Sequence, residues 1–112
     1  MIRVELERNP AGKITGFRVE GHAGYKEKGE DVVCAAVSVL TQTAVISMRK
    51  LLHAEPAALQ VEEGYLLCRI KDAGNSVKDR EMQLILSSMA LGLEETAREY
   101  GDYLELKYRE SI

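Results

Sequence analysis

Hydrophobic and polar residues alternate at the start of the chain. Over residues 2–7, apolar side chains are separated by charged ones, which is the period of two of a strand with one buried face. Turn-forming residues follow at 9–12, and residues 14–20 read as a returning strand, so we predict an antiparallel hairpin. Gly16 interrupts the alternation in the second strand and predicts a β-bulge.

The pattern then changes from that of strands to that of a helix. Residues 21–30 hold three glycines and few apolar side chains, which predicts a loop. From Asp31, apolar residues recur at helical spacing for about twenty residues, and the helix is expected to end before Pro56. Asp31 is the expected N-cap, which makes Cys34 the third helical residue.

The second half of the chain repeats these signals in a similar order. We predict a strand at 58–61, a turn at 62–64, a strand at 65–71, a helix from a cap at Ser76 to about Tyr100, and a strand at 103–108. The resulting order is ββαββαβ. It predicts an α+β, two-layer domain over residues 1–112, with one mixed or antiparallel sheet and two helices.

Composition narrows the class of protein. The chain has 112 residues, 46% of them hydrophobic, and a net charge of −3, so it has no basic surface typical of nucleic-acid binding. The N-terminus alternates charged and apolar residues, unlike a signal peptide, and no apolar run approaches the roughly 18 residues that span a bilayer. We therefore expect a cytoplasmic protein that contacts neither nucleic acid nor membrane.

The two cysteines indicate neither a disulfide scaffold nor a metal site. Cys34 and Cys68 are far apart in the sequence, and with His22 and His53 they form no close ligand spacing. No metal or other cofactor is expected. Cys68 alternates with apolar residues in a predicted strand and reads as a core thiol, whereas His53 falls near a helix C-terminus, where the dipole favours an imidazolium.

The stretch from His22 to Ser38 holds the candidate chemistry. In the first turn of a helix, the dipole favours the thiolate of Cys34 by about 0.3–1 kcal/mol. Apolar neighbours and nearby carboxylates oppose that charge, so a cationic partner is needed. The glycines of the intervening loop allow His22 to return to the helix start, and a thiolate–imidazolium pair is an activated nucleophile.

Each of these residues also has a structural interpretation. Cys34 can be a buried helix residue and His22 a loop residue with a local hydrogen bond. Asp31 either caps the helix or orients His22. Ser38 lies one turn beyond Cys34 and either supports the thiol or substrate, or bonds its own helix backbone.

The segment Gly21-His22-Ala23, the loop after it and the run from Asp31 to Ser38 (DVVCAAVS) closely resemble the signature of the Prp family of ribosomal-processing cysteine proteases. The resemblance implies that His22 and Cys34 are the catalytic dyad. It implies a substrate as well, the N-terminal extension of large-subunit ribosomal protein bL27. It further implies a homodimer and a loop, including Gly24, Tyr25 and Gly29, that moves on substrate binding.

Acyl transfer by Cys34 requires donors for the oxyanion. The amide of Cys34 itself is the first expected donor, and Gly21 or Ala23 is expected to add a second. Two other functions remain open at this point. One is a non-catalytic, ribosome-associated module that grips a peptide without cutting it, and the other is a structural domain with both cysteines buried.

Overall fold

A five-stranded mixed sheet carries two helices on one of its faces. The computed structural model describes residues 1–21 and 28–111, with side chains at all of these positions except 28–31. The elements are β1 (Ile2–Arg8), β2 (Ile14–Glu20), α1 (Lys28–Leu52), β3 (Ala58–Glu62), β4 (Tyr65–Arg69), α2 (Val77–Glu99) and β5 (Leu104–Glu110). The predicted order ββαββαβ and the predicted α+β class are confirmed.

The strands lie in the order β3-β4-β2-β1-β5. Neighbouring strands are antiparallel except β1 and β5, which run parallel. In the β1–β2 hairpin, Glu7 pairs with Gly16 and Arg8 pairs with Ile14, so Thr15 is an extra residue and the predicted bulge is confirmed. A Cβ on Gly16 would lie 3.0 Å from the carbonyl oxygen of Cys68, and glycine therefore suits the close approach of β4.

The two faces of the sheet differ in polarity because side chains alternate along each strand. Ile2, Val4 and Leu6 are at most 2% exposed and lie in the core under the helices. The opposite face carries ion pairs, namely Glu5 with Arg18, Glu5 with Arg109, and Glu7 with Arg69. This division is the one expected of a sheet covered on a single face.

Helix α1 begins earlier than the sequence pattern predicts. It starts at Lys28, so Asp31 is its fourth residue and not its N-cap, and Cys34 is its seventh residue and not its third. The sequence from Lys28 to Asp31 is Lys-Gly-Glu-Asp. Because this turn has no apolar side chain, hydrophobic periodicity could not register it.

The hydropathy of α1 also corrects an expectation from the sequence. Residues Val32–Leu52 have a mean hydropathy of 1.6 and are long and apolar enough, by length and composition, to cross a membrane. The expectation that no segment reaches that length is therefore wrong, because Ser38, the polar run 41–43 and Ser47 interrupt the apolar residues without lowering the mean hydropathy much. The row Val33, Val37 and Met48 packs into the core, and the core helix of a folded domain passes the same test.

Helix α2 begins and ends close to the predicted positions. The Ser76 side chain caps it by accepting a hydrogen bond of 3.1 Å from the amide of Asp79, as predicted. The helix ends at Glu99, and the Tyr100 amide donates to the carbonyl of Thr96. The last strand begins one residue later than predicted and continues to Glu110, where it pairs with Arg8.

Candidate active site

A cleft of about 410 Å³ separates the first half of α1 from the end of the sheet at which β3 turns into β4. Helix α1 contributes Cys34, Ser38 and Gln42 to one wall. These three residues lie at intervals of four, so they follow one another along the same side of the helix. Ile2 and Val19 line the cleft from the sheet and make that part of its surface apolar.

The β3–β4 hairpin forms the opposite wall of the cleft. Val61, Glu62, Glu63, Gly64 and Tyr65 line it. Both glutamates are exposed, so this wall presents carboxylates beside an apolar floor.

Cys34 is half-buried and lines the cleft. The thiol therefore opens onto a groove wide enough for a peptide side chain, and is not sealed in the core. Its amide, however, belongs to the second turn of a helix that begins at Lys28. The unpaired amides of a helix are those of its first turn, so the expected place of the Cys34 amide in that turn is wrong, and its role as an oxyanion donor stays a prediction.

Gly21 lines the same cleft, at the end of β2. Its amide donates a hydrogen bond of 3.0 Å to the carbonyl of Gly64. The Gly21 amide is therefore already paired in this arrangement of the chain, and the choice between Gly21 and Ala23 as the second oxyanion donor stays a prediction.

Cys34, Ser38 and Gly21 are thus brought to one cleft, as the sequence motif requires. Four other predicted site residues lie outside the described residues: His22, Ala23, Gly24 and Tyr25. Gly29 and Asp31 belong to the first turn of α1. The pairing of His22 with Cys34 stays a prediction.

The second cysteine is a core residue, as predicted. Cys68 is 0% exposed on β4. Burial raises the pKa of its thiol from 9.0 to about 11, and the charge of Arg49 offsets part of that rise. His53 is exposed just after α1, with a φ of 52°, and takes no part in lining the cleft. Across the described part of the chain, no three His, Cys, Asp or Glu side chains are grouped as metal ligands.

Sequence reasoning missed Gln42 and the β3–β4 turn as parts of the site. The spacing of Gln42, eight residues after Cys34, carried a usable signal, because residues four and eight apart share a helix face. The turn carried none, since it reaches the cleft only through the pairing of β4 with β2.

Comparison with known proteins decides the family. The model of the family described as "Cysteine protease Prp" matches residues 1–105. The ribosomal processing cysteine protease Prp of Staphylococcus aureus is 32% identical over 110 residues, which cover 97% of this chain and 100% of that protein. The chain belongs to the Prp family of cysteine proteases. The resemblance seen in the sequence motif is confirmed.

Solved structures of Prp share the fold. The S. aureus Prp in complex with a substrate peptide superposes with a TM-score of 0.86 at 30% identity, covering 97% of this chain and 100% of that one. The same protein with a covalently linked product peptide gives a TM-score of 0.82 at 32% identity, with the same coverage. The ββαββαβ arrangement of this Prp chain is thus that of its relatives.

Proposed function

We propose that this Prp chain is an endopeptidase that removes the N-terminal extension of ribosomal protein bL27. The observation that carries the proposal is that the half-buried Cys34 lines a cleft of about 410 Å³. A buried packing cysteine would need no such opening. The relatives named as ribosomal processing proteases, and the S. aureus complex with a substrate peptide, support the choice of substrate.

In the proposed reaction, Cys34 is the nucleophile and His22 is the general acid and base. The thiolate attacks the scissile carbonyl carbon, and the C–N bond breaks as the His22 imidazolium gives its proton to the leaving amine. Neutral His22 then takes a proton from water, whose oxygen attacks the thioester. The acid product leaves and the thiolate is restored. A covalently linked product, as in the S. aureus relative, fits such a scheme.

Each of the proposed supporting residues has its own role. Ser38 offers its hydroxyl one helical turn beyond the thiol, where it can meet the substrate backbone. Asp31 is proposed to orient His22, in place of its lost capping role. Gly21 holds the cleft wall rather than the oxyanion, and Ala23 remains the proposed oxyanion donor. Gly24, Tyr25 and Gly29 are proposed to close over the peptide.

The charge of the cleft suits the proposed substrate. Glu62 and Glu63 give one wall negative charge, and ribosomal proteins are generally basic because they pack against RNA phosphates. The peptide is the sole ligand that the scheme needs, since the nucleophile and the proton carrier are both side chains. We propose that the chain acts as a cytoplasmic homodimer, a single domain over residues 1–112, without cofactor.

The test is cleavage of full-length bL27 that carries its extension. Wild-type protein should release the extension, and Cys34→Ala and His22→Ala should each reduce the rate to the uncatalysed level. Cys68→Ala serves as the matched control and should cleave at the wild-type rate. Undiminished cleavage by Cys34→Ala would eliminate the proposal. Tight binding of the extension without any product would favour the non-catalytic peptide-binding module instead.

A further inference from the structure

Each helix carries one glutamine, and the two side chains have the same hydrogen-bonding groups but different surroundings. Gln83 is on α2 and Gln42 is on α1. A glutamine amide has one carbonyl acceptor and two N–H donors, so it can pair with the N–H and the C=O of an extended backbone at the same time.

Gln83 makes this double contact inside the fold. Its Oε1 accepts a hydrogen bond of 2.9 Å from the amide of Ile14, and its Nε2 donates one of 2.9 Å to the carbonyl of the same residue. Ile14 is the first residue of β2, at the bulge where β1 pairing shifts. The contact holds a strand residue at the point where regular pairing fails.

Gln42 has the same amide but faces the cleft. It is exposed and lines the same wall as Cys34 and Ser38. Within residues 1–21 and 28–111, the Gln42 side chain has no hydrogen-bond partner. The neighbouring hydroxyl, that of Thr41, is already used, since it donates to the carbonyl of Val37 at 2.8 Å.

The position of Gln42 along α1 determines which residue of a bound peptide its side chain would contact. Eight residues separate it from Cys34, which is about 12 Å at a helical rise of about 1.5 Å per residue. An extended peptide covers that length in three or four residues at about 3.3 Å each. The cleft continues over this length, because its lining runs from Cys34 to Gln42 on one wall.

We propose that Gln42 is a substrate-binding residue that holds the main chain of the substrate peptide three or four residues from the scissile bond. Its amide accepts from the N–H and donates to the C=O of one peptide residue, as Gln83 does for Ile14. This inference rests on the proposed endopeptidase function. The proposed contact depends on the extended main chain of the peptide and is independent of its side chains.

The experiment compares Gln42→Met with Gln83→Met, which remove the same amide from the two helices while keeping similar size. Gln42→Met should raise KM for the bL27 extension about tenfold, as expected for two lost hydrogen bonds, and leave kcat and the urea midpoint unchanged. Gln83→Met should lower the urea midpoint and leave KM unchanged. An unchanged KM in Gln42→Met would overturn the proposal.

A second measurement locates the contact and separates it from catalysis. In a Cys34→Ala background, the Kd of a fluorescent extension peptide is measured with single N-methylations along its backbone. One N-methylation, three or four residues from the scissile bond, should weaken binding about as much as Gln42→Met does, and the two changes together should weaken binding no further. Full additivity at every position would refute the contact. Absence of cleavage by the wild type would instead refute the endopeptidase and leave this binding result standing.

Discussion

The amide of Gly21 donates a hydrogen bond to the carbonyl of Gly64 and so ties the end of β2 to the β3–β4 turn beside the cleft. A Cβ on Gly21 would lie 2.8 Å from the Cα of Ile2, a contact with main chain that has little room to move. The two glycines therefore fix the end of β2 and the β3–β4 turn relative to each other, and both segments line the cleft that Cys34 also lines.

Gly21→Ala is expected to displace this end of the sheet. The clash should lower the free energy of unfolding by about 1–3 kcal/mol, and kcat/KM for the extension peptide should fall at least about tenfold, because reacting groups misplaced by about 1 Å lose much of their rate. Gly12→Ala is the matched control. Gly12 has a φ of +87° and open space around it, so alanine there should destabilise the fold without changing kcat/KM. Equal kcat/KM in both variants would contradict the role of Gly21.

The two thiols are expected to react very differently with iodoacetamide. Cys34 is half-buried in the cleft, whereas Cys68 is 0% exposed and burial raises its pKa to about 11. At pH 8, native wild-type protein should therefore incorporate one label, and Cys34→Ala should incorporate none until urea unfolds it. Mass spectrometry of the labelled peptides measures both. Native labelling of Cys68 at the rate of Cys34 would contradict the assignment of Cys68 to the core.

The strands and helices of this chain were predictable because each has one buried face. The alternation of Ile2, Val4 and Leu6 with charged residues predicted β1, and the cap at Ser76 predicted the start of α2. The start of α1 was not predictable in the same way, since its first turn is polar. The cleft depends on the strand order, which puts Gly64 beside Gly21 although they are 43 residues apart in the sequence. Periodicity within a strand carries no information on which strand lies next to it.

The motif shared with the Prp family was recognisable in the sequence, whereas the hydrogen bonding of the main-chain amides near it was not. The spacing of His22 and Cys34 matched the family, but assigning the amides of Cys34 and Gly21 to an oxyanion site depended on the helix start and on one main-chain hydrogen bond. The helix start depends on where the polar loop before α1 ends, and the hydrogen bond depends on which strands are neighbours in the sheet.

We expect the proposed homodimer to form through the outer face of the two helices. A groove of about 350 Å³ runs between α1 and α2, and Val39 and Leu84, 65% and 72% exposed, line it. Apolar surface of this kind is typical of interaction sites. Leu84→Glu should turn a dimer into a monomer in sedimentation velocity. Leu51→Glu is the matched control, because Leu51 is also 72% exposed but lies outside the groove. A dimer that persists in Leu84→Glu would contradict this choice of surface.

The pKa of Cys68 predicts a loss of stability at high pH. Burial raises the pKa of the folded thiol to about 11, against an ordinary value of 9.0. Above pH 9 the unfolded chain therefore releases this proton while the folded chain keeps it, so stability falls as pH rises, by up to about 1.4 kcal/mol per pH unit until about pH 11. Below pH 9 both states keep the proton and the thiol has no such effect.

Urea unfolding of wild type and Cys68→Ala at pH 7 to 10.5 isolates this contribution. The lysines and tyrosines titrate in both proteins, so their effects on the free energy of unfolding cancel in the difference. The advantage of the wild type over Cys68→Ala, which reflects packing of the buried sulfur, should shrink as pH rises past 9. A difference that stays constant over this range would show that the Cys68 pKa is not raised.

The ion pair between Lys13 and Asp79 is expected to stabilise the fold far more than the surface pairs. Lys13 Nζ lies 2.8 Å from Oδ2 of Asp79, whose side chain is 7% exposed, and it also donates to the carbonyl of Gly74 at 2.9 Å. Lys13→Met leaves that carboxylate nearly buried without its cation, so the free energy of unfolding should fall by about 2–3 kcal/mol, below the full cost of a buried pair because Lys13 is 30% exposed.

Arg98→Met is the control for this prediction, since Arg98 and Glu95 are 74% and 66% exposed, and it should cost at most about 0.5 kcal/mol. A double-mutant cycle with Asp79→Asn separates the pair from the packing of the lysine stem. The cycle should give a coupling energy of at least about 1 kcal/mol for Lys13 and Asp79, because both partners are held between the β1–β2 turn and the first turn of α2. A coupling energy near zero would mean that the carboxylate is stabilised by its helix and not by the lysine.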